Sequence, residues 1–170
     1  MKKSYISSDG EELYMYILSD EDGTEHYFFF VNENGINSTT KYQDDDGLQL
    51  ILDTSSSVLT ITDDTKNVRS YTQTSSTPSG VLGSWYLTSI TDAIGNKIVF
   101  GFSGEKPVSI GILPNASSQI NYLTITYGTN NMPIVIMNQR TREAIVFRYS
   151  ETATGSIVAT ENAKYLRQVV

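Results

Sequence analysis

Residues able to carry out chemistry are few in this chain. His26 is the only histidine among the 170 residues, and cysteine is absent. Thiol nucleophiles, disulfides and thiolate zinc sites are therefore excluded, and a catalytic triad would depend on His26 alone. His26 lies in a strand-like run, so we interpret it as a packed strand residue. The sequence has no Gly-x-Ser-x-Gly elbow and no glycine-rich phosphate loop.

Two acidic clusters offer oxygen ligands for a cation. Residues 20–23 and 44–47 each contain Asp-x-Asp-Gly. A calcium loop of this type also needs an oxygen donor two positions earlier and a Glu at its twelfth position. The first cluster lacks both, and the second keeps only a shorter carboxylate, Asp53, at its end. We expect ordinary hairpin turns at both, with a cation site at Asp44 and Asp46 as the alternative.

Aromatic side chains are the remaining candidate binding groups. Tyr and Trp rings stack on sugar rings, while nearby Asp and Asn bind hydroxyl groups. The candidates for such stacking are Tyr14, Tyr27, Trp85 and Tyr86. The alternative, which we favour, is that these rings cover the second face of a sheet or contact a neighbouring repeat. A hydrolase is the weakest hypothesis because nothing singles out a pair of carboxylates, so we predict no enzyme activity and no cofactor.

The charge balance narrows the range of partners. The chain carries 12 Lys+Arg against 19 Asp+Glu, a net charge of -7. Unaided nucleic-acid binding requires a basic stripe, so we expect no nucleic-acid partner. The apolar runs fall far short of the roughly 18 residues of a membrane-spanning helix, so we expect no membrane insertion. Basic residues are commoner in the C-terminal third than in the acidic first third. We interpret them as solvated surface charges, and the alternative is that charge complementarity orders adjacent units head to tail.

The elements that position these residues are predicted to be β-strands nearly throughout. Residues 58–61 and 123–127 are rich in β-branched and aromatic side chains, as strands are. Turn residues separate such runs, so we predict an all-β chain of about ten to twelve short strands in antiparallel hairpins. The sheet would be meandering or wrapped, as in an open barrel or a sandwich. The best helix candidate, residues 161–170, is short. The predicted turns are Asp22-Gly23, Asn34-Gly35, Asp46-Gly47, Gly95-Asn96 and residues 128–131.

We interpret residues 1–170 as one repeat-containing region. Residues 70–82 and 150–163 are rich in small and polar side chains and predict softer loops. Residues 90–102 align with residues 18–30 at an apolar position, Asp, Gly and two aromatic positions. A third copy begins at Ile61, with Lys66 in place of Gly, and a fourth spans residues 136–149 with Asn138 in place of Asp and one extra residue. The predicted turn residues are Asp20, Gly23, Asp63, Asn67, Asp92, Gly95 and Asn96.

The repeated unit has a plain physical interpretation. A strand ends at the apolar residue, and the Asp side chain accepts hydrogen bonds from amides of the turn. Gly, or the Asn that follows it, supplies the left-handed residue. The returning strand then places alternate residues on one face. A single hairpin cannot bury that face, whereas stacked hairpins can.

The segment from Trp85 to Phe100 resembles the repeat of the Rhs/YD-repeat family, whose units follow L-x-x-I-x-D-x-x-G-N-x-I-x-F-x-Y. The resemblance is strongest at residues 86–102 and weaker at residues 20–30 and 61–71. Phe102 stands where the family often has Tyr. The resemblance implies a large secreted or cell-surface, cell-wall-associated bacterial protein whose repeats form a β shell or shaft, in some members around a C-terminal toxin.

We therefore expect a non-enzymatic structural or interaction module whose partners are neighbouring repeats of its parent chain. The alternative is a carbohydrate-binding β module that uses exposed aromatic residues, with cell-wall or host glycans as partners. Residues 165–169 repeat the opening of the strongest copy, residues 86–90. This repetition indicates that the sequence is part of a longer array.

Overall fold

The regular structure of the chain consists of β-strands, as the sequence predicts. The computed structural model describes residues 1–6, 8–20, 22–33, 36–44, 51–54, 58–115, 118–129, 131–150 and 165–170. Within these ranges there are fourteen strands and no helix, and the fold is a meandering antiparallel sheet of hairpins. The chain divides into two compact units, Met1–Lys97 and Ile98–Val170.

The first unit contains eight strands, each antiparallel to the next in the chain. Short strands with polar turns between them form such a meander because each strand finds its partner locally. The pairing register places Tyr16 opposite Phe28, and Phe28 opposite Asp44. The strands are β1 (Lys2–Ile6), β2 (Glu12–Ser19), β3 (Glu25–Glu33), β4 (Ile36–Asp44), β5 (Ile51–Asp53), β6 (Leu59–Thr62), β7 (Val68–Gln73) and β8 (Trp85–Thr91).

The first and last parts of this unit's sheet meet each other. The backbone N–H of Lys2 donates to the carbonyl oxygen of Gly83 at 2.9 Å, and the N–H of Leu82 donates to the carbonyl of Lys2 at 2.8 Å. Lys2 belongs to β1, and Gly83 lies two residues before β8. The sheet of the first unit therefore wraps round, and one of its faces becomes an interior.

The interior of the first unit holds its hydrophobic core. Successive strands each contribute one or two side chains, and Phe28 at the centre is fully buried. Leu18, Tyr71 and Trp85 are partly buried and pack against the outside of this cluster. Burial of large apolar side chains supplies the main stabilisation of such a sheet. The core cluster consists of Tyr16, Phe28, Tyr42, Leu52, Leu59 and Ile61.

The second unit is also an antiparallel meander in chain order, with β-bulges in three of its strand pairs. A bulge adds one residue to one strand and increases the local twist. None of its described hydrophobic side chains reaches the burial of the first unit's core. Its strands are β9 (Lys97–Ser103), β10 (Lys106–Leu113), β11 (Ile120–Tyr127), β12 (Pro133–Asn138), β13 (Ala144–Ser150) and β14 (Tyr165–Val169).

Several boundaries differ from the sequence-based expectations. Ser70 to Gln73 belongs to β7, so the irregular part of the predicted loop at 70–82 begins at Thr74. Residues 165–169 form a strand paired with β13, in agreement with the all-β prediction and not with the short helix candidate at residues 161–170. The predicted loop at 150–163, apart from Ser150 at the end of β13, lies outside the described residues. So do the predicted turns Asn34-Gly35 and Asp46-Gly47.

Candidate functional site

The turn at Asp92, which follows β8, is the fullest version of the repeated turn. The N–H of Asp92 donates to the carbonyl of Asn96 at 2.9 Å, and the N–H of Gly95 donates to the carbonyl of Asp92 at 3.1 Å. Gly95 has φ +94°, a conformation that suits glycine. This pattern is a three-residue hairpin loop, a type I turn followed by a left-handed residue.

The Asp92 carboxylate is bound within its own turn. It accepts hydrogen bonds from the N–H of Ile94 at 3.0 Å, the N–H of Asn96 at 2.9 Å, and Nδ2 of Asn96 at 2.8 Å. The bond from the Asn96 side chain is the largest cause of a lowered pKa of Asp92, and the backbone bonds add to it. The carboxylate therefore stays charged and holds the turn.

The turn at Asp63 between β6 and β7 repeats this geometry. The N–H of Asp63 donates to the carbonyl of Asn67, and the N–H of Lys66 donates to the carbonyl of Asp63, both at 3.1 Å. The carboxylate accepts bonds from the N–H (2.8 Å) and Nδ2 (3.0 Å) of Asn67 and from Thr65 Oγ1 (2.7 Å). Burial alone would raise the pKa of Asp63, but these hydrogen bonds outweigh it and lower the pKa. Lys66 takes the glycine position with φ +70°, a conformation costly for a residue with a Cβ atom.

The turn at Asp20 between β2 and β3 keeps the backbone pattern and changes the side-chain partner. The N–H of Asp20 donates to the carbonyl of Thr24 at 2.9 Å, and the N–H of Gly23 donates to the carbonyl of Asp20 at 3.1 Å. Thr24 stands at the Asn position and has no side-chain amide, and its backbone N–H donates to Oδ1 of Asp22 at 2.9 Å. The Oδ2 of Asp20 instead lies 3.1 Å from Nε2 of His26, whose ring is buried. His26 is thus a buried residue of strand β3 that is bonded to the turn before it.

Two turns of the second unit follow the same scheme. Between β11 and β12, the N–H of Gly128 donates to the carbonyl of Met132 at 2.9 Å, and Asn131 has φ +62°. Between β12 and β13, the N–H of Asn138 donates to the carbonyl of Glu143 at 2.8 Å, and Arg142 has φ +64°. The second turn is one residue longer, which is the extra residue that the alignment of the fourth copy requires. Sequence reasoning marked residues 128–131 as a turn but missed it as a copy, because Gly128 stands at the Asp position.

The four aromatic candidates do not form one platform. The ring of Trp85 faces the core, 5.7 Å from the ring of Tyr16, whereas Tyr86 follows it and points to the opposite face. Tyr27 likewise precedes the buried Phe28 and points away from the core, and its hydroxyl donates to Glu25 at 2.6 Å. Tyr14 is 41% exposed, and Nζ of Lys2 lies 4.4 Å from its ring centroid. The rings are therefore divided between the two faces of the sheet.

The structure describes one of the two predicted cation ligands, Asp44. Asp44 ends β4 and is 6% exposed, opposite Phe28 in the register. Asp46 lies outside the described residues. In the described part of the chain, no three His, Cys, Asp or Glu side chains come together as a metal-binding group. The described ranges also contain no helix that is long and apolar enough to cross a membrane.

No protein-family model matches the chain, and no curated protein matches it. The geometry alone therefore indicates what the repeated residues do. The Asp63 and Asp92 carboxylates each bind the amides and the Asn side chain of their own turns. This arrangement fixes hairpins, and its chemical effect is structural.

Proposed function

We propose that this chain is a non-enzymatic structural and interaction module, part of a β scaffold or shell built from YD-repeat-like hairpins. Its partners are the neighbouring repeats of its parent chain. The parent is a bacterial protein that is secreted or held at the cell surface in association with the cell wall. The resemblance of residues 86–102 to the family repeat supports the bacterial surface assignment, and the turns support the structural role.

The recurrence of one turn geometry carries this proposal. Four turns share the backbone bonds that start at residues 20, 63, 92 and 128, and the turn at residue 138 follows the same scheme with one extra residue. Each of the five has a left-handed residue one position before its end. Such hairpins cannot bury an apolar face alone and become stable when neighbours cover it. In the first unit, side chains from successive hairpins do build one common core. A unit of this kind is suited to building an extended array.

A carbohydrate-binding module is the second candidate, and exposed Tyr14 beside Lys2 is the observation in its favour. A saccharide chain is usually bound by several rings that face the same way. Trp85 packs on the core, and Tyr27 and Tyr86 lie on the opposite face. The division of the rings therefore favours the scaffold over the carbohydrate module.

A glycan array separates these two candidates. We expect no saturable binding of the chain to plant, host or bacterial-wall glycans. Tyr14→Ala is the test variant, and Tyr5→Ala on the other face of the sheet is its matched control. Saturable binding that Tyr14→Ala abolishes and Tyr5→Ala preserves would establish the carbohydrate module instead.

The surface assignment is tested on intact bacteria that encode the chain. An antibody against residues 58–115 should label unbroken cells or the culture medium. Added protease should remove the label from intact cells while a cytosolic control protein survives. Labelling that appears only after lysis would contradict the proposed location.

A further inference from the structure

The wrapped sheet of the first unit forms a cavity of about 260 Å³ that is open to solvent on one side. Its wall is built from β2, β3 and β5 to β8, so it lies inside the unit and at the core. An apolar cavity of about 150 Å³ is already large enough to admit benzene, and ligand pockets commonly begin near 300 Å³. The volume therefore suits a small molecule with about two fused rings.

The wall is mostly apolar and aromatic. Phe28, Leu52 and Ile61 are buried and form its deep part. Leu18 and Trp85 are partly exposed, so they form its outer part, where the cavity reaches solvent. Such a wall favours an uncharged ring system because a charged ligand would lose most of its hydration there.

The polar groups of the wall include those of Met1, Tyr16, Ser19 and Tyr71, and Tyr71 gives the cavity a direction. Tyr71 on β7 lines the cavity, and burial raises its pKa to about 12; the positive charge of Arg69 opposes this shift, and the negative charge of Asp20 adds to it by less. Its phenol is therefore neutral at ordinary pH and can donate or accept a hydrogen bond. Ser19, which precedes Asp20, also lines the cavity. The net negative charge of the unit disfavours anionic ligands, and the Met1 ammonium in the wall already donates to the carbonyl oxygen of Ile17 at 2.6 Å.

We propose that this cavity is a binding site for a small, uncharged bicyclic aromatic molecule that carries one hydrogen-bonding group directed at the Tyr71 hydroxyl. Aromatic edge contacts with Trp85 and Tyr16 orient the rings, and Leu18 closes the outer part. This site is separate from the repeated turns and does not depend on the scaffold function.

The single tryptophan makes the site directly observable. Trp85 is the only Trp of the chain and lies in the cavity wall. The whole chain is labelled with 5-fluorotryptophan and titrated with indole, with naphthalene as the probe without a hydrogen-bonding group, and with 1-naphthoate as the anionic probe. We expect the one fluorine resonance to shift saturably with indole and naphthalene and to move little with 1-naphthoate.

Substitutions inside and outside the cavity wall test whether the probes bind in the cavity. Leu18→Phe fills the cavity, and we expect it to weaken indole binding by about tenfold or more, since the added ring occupies ligand space. Leu13→Phe, the same substitution on the same strand outside the cavity wall, should leave binding unchanged. Tyr71→Phe should weaken indole about fivefold and leave naphthalene unaffected, as expected for the loss of one hydrogen bond.

Three results would overturn the proposal. The first is a folded chain whose fluorine resonance does not respond to either uncharged probe up to their solubility limits. The second is equal weakening by Leu18→Phe and Leu13→Phe. The third is binding of 1-naphthoate as tight as that of indole. If Leu18→Phe fails to fold, Leu87→Phe, which fills the cavity from β8, takes its place.

Discussion

The two units of this chain use the same turn and reach different degrees of burial. Turns with one backbone hydrogen-bond pattern occur at Asp20, Asp63 and Asp92 in the first unit and at Gly128 in the second, and the turn at Asn138 is a version that is one residue longer. Every fully buried hydrophobic side chain of the described residues belongs to the first unit. The turn therefore specifies a hairpin, whereas a core requires a further condition.

That condition is visible where the first unit's sheet meets itself. The bonds between Lys2 and the residues 82–83 turn one face inward, and the large residues of β2 and β3 then fill the interior. In the second unit, β12 is partly exposed along its whole length and β14 is exposed throughout. Period-two alternation fixes which residues share a face, and long-range closure decides whether that face is buried.

The largest expected loss of stability comes from removing a phenylalanine ring at the equivalent position in each unit. Phe28 and Phe100 occupy the same position of the aligned repeat, and Phe28 is fully buried while Phe100 is partly exposed. Phe28→Ala should lower the free energy of unfolding by about 3–5 kcal/mol, because it leaves a cavity in the core. Phe100→Ala should cost clearly less. Urea denaturation followed by hydrogen exchange of both units measures the difference, and equal losses would contradict the comparison.

High pH should affect the first unit before the second. Burial raises the pKa of Tyr71 to about 12, against an ordinary value of 10.0 in the unfolded chain. A raised folded pKa means that stability is fully present below pH 10 and is lost as the pH rises from about 10 to 12. Burial raises the pKa values of Tyr16 and Tyr42 as well, which reinforces the trend.

Alkaline titration with hydrogen exchange as the readout tests this. Tyr71→Phe should move the loss of first-unit protection to higher pH, because it removes one ionising group from the core. Tyr149→Phe in the second unit is the control, and it should leave the first unit's midpoint unchanged. A Tyr71→Phe midpoint identical to that of the unmodified chain would show that this residue does not govern the transition.

Replacing the left-handed residue of a turn with glycine should have the same effect on stability in both units. Lys66 has φ +70° and Arg142 has φ +64°, so each holds a conformation that glycine adopts with less strain. Lys66→Gly and Arg142→Gly should each stabilise the chain by about 0.5–1 kcal/mol, after the greater flexibility of glycine in the unfolded chain is subtracted. Gly95→Ala at φ +94° is the reverse control and should destabilise. Thermal unfolding measures all three, and destabilisation by both glycine variants would refute the shared geometry.

The sequence predicts the hairpins better than their assembly. Asp, Asn and Gly at fixed spacing predict the turns at residues 92–96 and 20–24 because those side chains act locally. The sequence interpretation assigned the left-handed conformation to Gly or to the Asn that follows it, which is wrong for the two turns in which Lys66 and Arg142 adopt it. Neither residue type signals a positive φ. The contact of Lys2 with Gly83 and the cavity lined by Tyr71 depend on which strands meet across the wrapped sheet. No local pattern encodes such meetings, so these features required the structure.

The smallest expected effect concerns the charge difference between the units. The first unit carries 15 acidic and 6 basic residues, and the second carries 4 acidic and 6 basic residues. Like charges at the surface of the first unit repel one another, and salt screens such exposed charges over about 10 Å at 0.1 M. Raising NaCl from about 20 to about 500 mM should therefore increase hydrogen-exchange protection in β2 to β4 by a few tenths of a kcal/mol. Protection in β11 to β13 should change less, because the second unit is nearly neutral.

Sodium sulfate stabilises proteins generally through exclusion from their surfaces, so a parallel titration with it serves as the control. An equal rise in both units with NaCl would mean that such a general effect, and not the acidic surface of the first unit, is responsible.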